Sequence, residues 1–282
     1  MSKIILSAFS DEYASSFKEQ LAGMNEFGIK NIELRHVDGK NVADITKSEG
    51  LQIKETLKSY DIDVSAIGSP LGKIRLDGDM KSHLETAKRI FELAELLNAK
   101  FIRVFSFYAP EGEDVTKMKD AVTNALGELI NVAKNYPVTL CHENEACIYG
   151  DTVDRCRELL DYFNGDLKCV FDMGNFVLEN EIPYPYGYDI LKKDIAYFHI
   201  KDALKEGAIV PPGKGDAKIQ EILKSHLTYT DKDFFVTLEP HLQTFSGLNA
   251  LVGRSFENPY KYEDAKSAFT DAVIKFNELT KF

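Results

Sequence analysis

Short apolar runs and amphipathic stretches alternate along the whole chain. The runs are Ile4-Ile5-Leu6, Asn31 to Arg35, Val64 to Ile67, Phe101 to Phe105, Val138 to Glu143, Leu167 to Asp172, Ala196 to His199 and Phe234 to Glu239. They are rich in β-branched and aromatic residues, as buried parallel strands are. Between them, apolar residues fall at helical spacing. Phe17, Leu21, Met24 and Phe27 share a face and stop at Gly28; Leu84, Ala87, Ile90, Phe91, Ala94 and Leu97 stop at Asn98. Met118, Val122, Leu126, Leu129 and Ala133 form a further stripe, and Val153, Cys156, Leu160 and Phe163 another behind a start at Asp151 or Thr152. Ile219, Ile222 and Leu223, then Ala265, Phe269, Ala272, Val273 and Phe276, complete the strong helices. Weaker patterns place one helix end near Leu57 and Tyr60 and a short helix at Tyr188 to Leu191. Eight strand–helix units with right-handed crossovers close as a (β/α)₈ barrel, here a single domain over residues 1–282, with its active site at the C-terminal strand ends. An open doubly wound sheet is the alternative, but the first strand is not followed by GxGxxG.

Four consecutive strands end in metal-type ligands: Glu143 after Val138-Thr139-Leu140-Cys141-His142, Asp172 after Cys169-Val170-Phe171, His199 after Ala196-Tyr197-Phe198, and Glu239 after Phe234 to Leu238. An ionisable group at the end of a buried strand must be paired or bound. Three carboxylates crowded without a cation would repel one another, so these four residues read as one divalent-metal site. Three oxygen donors and one imidazole suit Mn²⁺ best, with Mg²⁺, Co²⁺ or Zn²⁺ also accommodated. The competing reading is an internal ion-pair network.

Side-chain alternation along the strands decides what else faces inward. Glu33 and Arg35 form an inward pair on the second strand, Tyr197 and Lys201 share the side of His199, and Thr237 and His241 share that of Glu239. His142 faces the helix layer, and His36, His83 and His226 read as surface residues. Lys73 and Arg103 read as surface or ion-pair residues, with a place facing the pocket as the alternative, and Gly213-Lys214-Gly215 as a lid loop rather than a phosphate cradle.

Net charge is −11, from 34 basic and 45 acidic residues, which argues against a nucleic-acid partner. The four cysteines have no CxxC spacing and read as reduced. The N-terminus has too little apolar length for a signal peptide, and no run suits a membrane span, so a cytoplasmic protein with no membrane partner is expected. Phe245, Leu248, Leu251 and Phe256 after the last strand suit a lid or a contact in a homo-oligomer.

The ordered motifs His142-Glu143-Asn144, Phe171-Asp172-Met173-Gly174-Asn175, His199-Ile200-Lys201-Asp202, Pro212-Gly213-Lys214-Gly215-Asp216 and Leu238-Glu239-Pro240-His241 resemble the xylose-isomerase-like barrel superfamily. The likeness is to its sugar isomerase/epimerase branch, which includes ketose 3-epimerases and inosose dehydratases, and it covers essentially the whole chain. It implies that Glu143, Asp172, His199 and Glu239 hold one divalent ion that grips a sugar carbonyl and hydroxyl and stabilises an enediolate. It also implies that Glu143 and Glu239 move the proton, one on each face of the substrate. Asn175 departs from the pattern, because ketose 3-epimerases usually have a histidine there touching a substrate oxygen. Asn175, Lys201, His241, Arg35 and Glu33 are the candidate substrate contacts.

The expected function is a metal-dependent isomerase or epimerase of a keto sugar or cyclitol, with an inosose-dehydratase-like lyase as the runner-up. An abasic-site endonuclease on the same fold is remote, since that enzyme uses several zinc ions held by many histidines.

Overall fold

The computed structural model describes residues 2–243 and 260–281. Eight parallel strands, β1 (Ile4–Ala8), β2 (Asn31–Leu34), β3 (Asp63–Ile67), β4 (Phe101–Val104), β5 (Thr139–Glu143), β6 (Leu167–Asp172), β7 (Ile195–Ile200) and β8 (Phe234–Leu238), form a nearly closed (β/α)₈ barrel. Hydrogen-bonded ladders run from β2 through each successive strand to β8, and from β8 to β1, which pairs in the register Ile4 to Phe234 through Ala8 to Leu238. The seam between β1 and β2 carries no ladder among the described residues.

Nine α-helices are present among the described residues: α1 (Phe17–Glu26), α2 (Lys47–Tyr60), α3 (Met80–Leu96), α4 (Lys119–Ala133), α5 (Val153–Phe163), α6 (Met173–Leu178), α7 (Tyr188–Leu191), α8 (Ile219–Tyr229) and α9 (Ala265–Leu279). Polar residues fix their starts by accepting orphan backbone N–H groups. Thr46 and Glu49 make a reciprocal capping box, Thr152 accepts from Arg155 N, and Asp264 pairs with Ser267. Asn164 ends α5 with φ 42°, a left-handed position that asparagine tolerates.

Two cores result. Outward strand residues such as Ile102, Val104, Leu140 and Phe198 pack under helix stripes that include Ala87, Ile90, Phe91, Leu126 and Leu129. Each fully buried leucine or isoleucine there contributes roughly 1.5–3 kcal/mol. Inside the barrel, Ala66, Cys141, Val170 and Tyr197 fill a separate small core. That plug closes the barrel below the strand ends, so polar chemistry is confined to the rim.

The structure adds elements that periodicity does not predict. Helix α6 begins directly after Asp172, and two small hairpins, His36–Val37 with Lys40–Asn41 and Asp202–Ala203 with Ile209–Val210, follow β2 and β7. All are too short to show a period. Phe245, Leu248, Leu251 and Phe256 lie outside the described residues.

Candidate metal centre and active site

The ends of β5, β6, β7 and β8 bring Glu143, Asp172, His199 and Glu239 together, with one ligand atom from each lying within 4.8 Å of the others. All four are buried. His199 is the hub. Its Nδ1 lies 2.8 Å from Glu143 Oε1 and 3.0 Å from Glu239 Oε2, and its Nε2 lies 2.9 Å from Glu33 Oε2. Tyr197 OH donates to the other Glu33 oxygen at 3.0 Å. Glu33 therefore fixes the ring orientation and favours a proton on Nε2, so that the Nδ1 lone pair is free for a cation once that nitrogen is deprotonated.

Asp172 is held from several sides. Its Oδ1 accepts the Asn175 N–H at 2.8 Å and so caps α6, while Lys201 Nζ donates to Oδ2 at 2.9 Å. Asn144 exchanges two hydrogen bonds with the Asp172 backbone. Asn175 Nδ2 donates to Asn144 O at 2.9 Å and its Oδ1 accepts from Lys201 at 3.1 Å, which locks the amide in place.

The two glutamates are mirrored. Each turns one oxygen toward His199 Nδ1 and the other toward a guanidinium: Glu143 Oε2 lies 3.1 Å from Arg103 Nη1, and Glu239 Oε1 accepts from Arg35 Nη1 at 3.1 Å. Arg35 also donates to Asp11 at 2.8 Å and to Glu12 at 3.2 Å. Glu12 accepts the His241 backbone N–H at 2.8 Å, and its other oxygen lies 3.1 Å from His241 Nε2, with that nitrogen 3.4 Å from Glu239 Oε1.

Burial raises the Asp172 carboxyl, and the Lys201 ammonium beside it only partly reverses that shift. Burial also pushes Glu143 and Glu239 up, but nearby cations outweigh it, chiefly His199 and Arg103 for Glu143 and Lys201 for Glu239, and both end below the usual carboxylate range. Burial would lower His199, yet Glu143, Glu33 and Glu239 carry its imidazole well above the ordinary value. Burial pushes Glu12 up to about 7 against the pull of Arg35.

An ion-pair network thus exists, as the competing sequence reading expected, but it is incomplete. Glu143 Oε2 and Glu239 Oε2 are buried and have no hydrogen bond among the described residues, despite neighbouring cations. A hard divalent ion at the point where the carboxylates converge on Nδ1 would use such oxygens, so the residues present fit a metal.

Above the cluster lies a cavity of about 520 Å³, bordered by Asp11, Glu12, Arg35, Lys73, Arg103 and Glu145 among others. Of the four residues that converge at the strand ends only Glu239 borders it, and of the five expected substrate contacts only Arg35 and His241 do. Glu33, Asn175 and Lys201 face inward as strand parity predicts, but their polar atoms are engaged with His199, Asn144 and Asp172. Parity tells which side a residue faces and not how high it stands. Asp11, Glu12 and Glu145 were not singled out from the sequence; the only signal was a polar cluster, Ser10-Asp11-Glu12, directly after the first strand.

Other expectations are corrected. His83 and His226 are buried, not surface residues: His83 Nε2 accepts the Gly72 N–H at 2.9 Å, and His226 packs edge-on against Phe198 and Phe234. His36 keeps a partly exposed side chain, as expected, at the edge of the cavity and 2.9 Å from Asp11. Of the readings for Arg103, the ion-pair one holds and the surface one does not: it is buried at the site with Nη1 3.1 Å from Glu143. In the Gly213-Lys214-Gly215 loop, Asp202 accepts the N–H groups of Gly213 and Gly215 at 2.8 and 3.0 Å, so those two donors are already engaged. His142 does face outward, 3.0 Å from Ser106 Oγ.

Residues 21–244 match the family model described as the xylose isomerase-like TIM barrel. The chain belongs to that family. No curated protein matches the sequence. Solved structures do resemble this xylose isomerase-like barrel. The probable 3-DHS dehydratase AsbF from Bacillus anthracis is 18% identical, with 89% of this chain and 96% of that one covered and a TM-score of 0.69. The IOLI protein with a binding zinc atom is 19% identical, with 98% and 97% covered and a TM-score of 0.70. The 3-keto-D-glucoside 4-epimerase YcjR from E. coli is 14% identical, with both chains fully covered and a TM-score of 0.70. At these identities the likeness shows the fold. No helix among the described residues is long and apolar enough to cross a membrane.

Proposed function

We propose that the protein is a divalent-metal-dependent isomerase or epimerase of a keto sugar or cyclitol, with Mn²⁺ as the preferred ion. The observation that carries this reading is the convergence of Glu143, Asp172, His199 and Glu239 within 4.8 Å, under a cavity and with two buried oxygens unsatisfied. A divalent ion bound there would polarise the substrate carbonyl and acidify the neighbouring C–H.

The chain's own groups do the rest. Glu143 and Glu239, kept ionised by their cationic neighbours, take the proton from carbon and return it, one on each face of the resulting enediolate. Glu33 orients His199, while Lys201 and Asn175 position Asp172. Arg35 and His241, on the cavity wall beside Glu239, contact substrate oxygens. Return of the proton to the opposite face gives epimerisation, and return to the neighbouring carbon gives isomerisation.

A lyase of the inosose-dehydratase kind is the second reading. Asn175 favours it: where ketose 3-epimerases usually carry a histidine, this amide is consumed by Asn144 and Lys201 and does not border the cavity.

Deuterium exchange tests the common step. In D₂O with Mn²⁺ or Co²⁺, a ketose or inosose substrate should gain deuterium at a carbon next to its carbonyl, and Glu239→Gln should slow that exchange about 100-fold or more. Net water loss with an absorbing enone or dione product would select the lyase. No exchange and no water loss across a panel of ketoses and inososes would refute both.

A further inference from the structure

One wall of the cavity alternates cations with aromatic rings. The Arg35 guanidinium carbon lies 4.2 Å from the Phe9 ring centre, that of Arg103 lies 5.1 Å from Phe9 and 4.9 Å from Phe105, and Lys73 Nζ lies 4.2 Å from Phe105. All three cations border the cavity, and both rings are fully buried. A ring face attracts a cation but accepts little hydrogen bonding, so the donors must find oxygens elsewhere.

Arg35 finds them in Asp11, Glu12 and Glu239, and Lys73 donates to Glu145 at 3.0 Å. Arg103 does not. Its Nη2 reaches Gly68 O only at 3.3 Å, its Nη1 lies 3.1 Å from Glu143 Oε2 without hydrogen-bond alignment, and its Nε has no hydrogen bond among the described residues. The Arg103 side chain is 7% exposed, and its Nε is buried from bulk solvent. A buried guanidinium with unmet donors is unfavourable, and its planar fork matches a carboxylate or phosphate. At a net charge of −11 the protein repels anions at long range, which makes a local cationic wall the more telling.

We propose that this wall seats an anionic group of the substrate, a carboxylate or a phosphate, with Arg103 as its main partner and Lys73 as its second. The substrate of the proposed reaction is then a hydroxylated ketone carrying an acid group. The ketone rests on the functional reading above, whereas the anion rests on the wall alone.

Calorimetric titration of the Mn²⁺-loaded protein with fructose, fructose 6-phosphate, fructuronate and inorganic phosphate separates the cases. At least one of the two anionic ketoses should bind about tenfold or more tightly than fructose, and which one does so identifies the acid group. Lys73→Gln should cut that preference by about threefold or more while leaving fructose affinity unchanged, and Arg103→Gln should cut it by at least as much. Lys73 touches no proposed metal ligand, so its effect cannot come from a disturbed metal site. The proposal is overturned if fructose binds as well as both anionic forms, if none of the ligands binds, or if both variants keep the preference. Retained anion preference without deuterium exchange would instead sink the proposed reaction and leave the anion seat standing.

Discussion

Glu33 shows how much a single buried side chain carries. It sits at the second strand, spends one oxygen on His199 Nε2 and the other on Tyr197 OH, and does not line the cavity above the cluster. Its role in the proposed site is to orient a ligand, and groups of that kind commonly alter metal affinity as strongly as a direct contact. Glu33→Gln should weaken Mn²⁺ binding about 10- to 100-fold, read by calorimetry on folded protein. Unchanged affinity would mean that Glu33 is only a core acid paired for its own burial. The four proposed ligands were legible in the sequence because each ends an apolar strand, and Glu33 and Lys201 were legible as inward residues. The oxygens they engage depend on packing height and rotamer, which strand alternation does not encode.

At the scale of the element, strands and long helices were readable, because a repeating apolar face must be buried somewhere. Helix α6 was not, since six residues capped by Asp172 show no repeat. The histidines failed for the same reason in reverse. His226 lies on the buried side of α8 among Phe198, Phe234 and Tyr188, but a single polar letter in an amphipathic stretch reads as exposed. Burial lowers its imidazole from 6.5 to about 4. The unfolded chain therefore takes up a proton before the folded one does, so this residue's contribution to stability is full above about pH 6.5 and is lost as pH falls toward 4. Comparison with His226→Phe, which cannot titrate, isolates the effect from the acids Asp172 and Glu12, whose raised carboxyls act in the opposite sense. The stability of wild type relative to the variant should drop by on the order of 1–3 kcal/mol across that window in urea unfolding at stepped pH. A flat difference would show that His226 charges as easily folded as unfolded.

For the whole molecule, the barrel separates scaffold from chemistry. A plug of Ala66, Cys141, Val170 and Tyr197 closes the interior, and the charged groups gather above it on the C-terminal strand ends. There the cations Arg35, Arg103 and Lys201 interleave with the carboxylates, Glu143 and Glu239 are held ionised, and a divalent ion completes that balance in the proposed enzyme. Strand order alone made this architecture readable, whereas the shape of the cavity depends on loops such as the Asp202-pinned turn, which carry no periodic signal. The central claim is that the four strand ends hold one divalent ion. Calorimetric titration of metal-stripped protein with Mn²⁺, for wild type and Glu239→Gln side by side, tests it most directly. One ion should bind per chain in the wild type, and the variant should bind it about tenfold or more weakly; equal affinity in the two proteins, or no binding by the wild type, would contradict it.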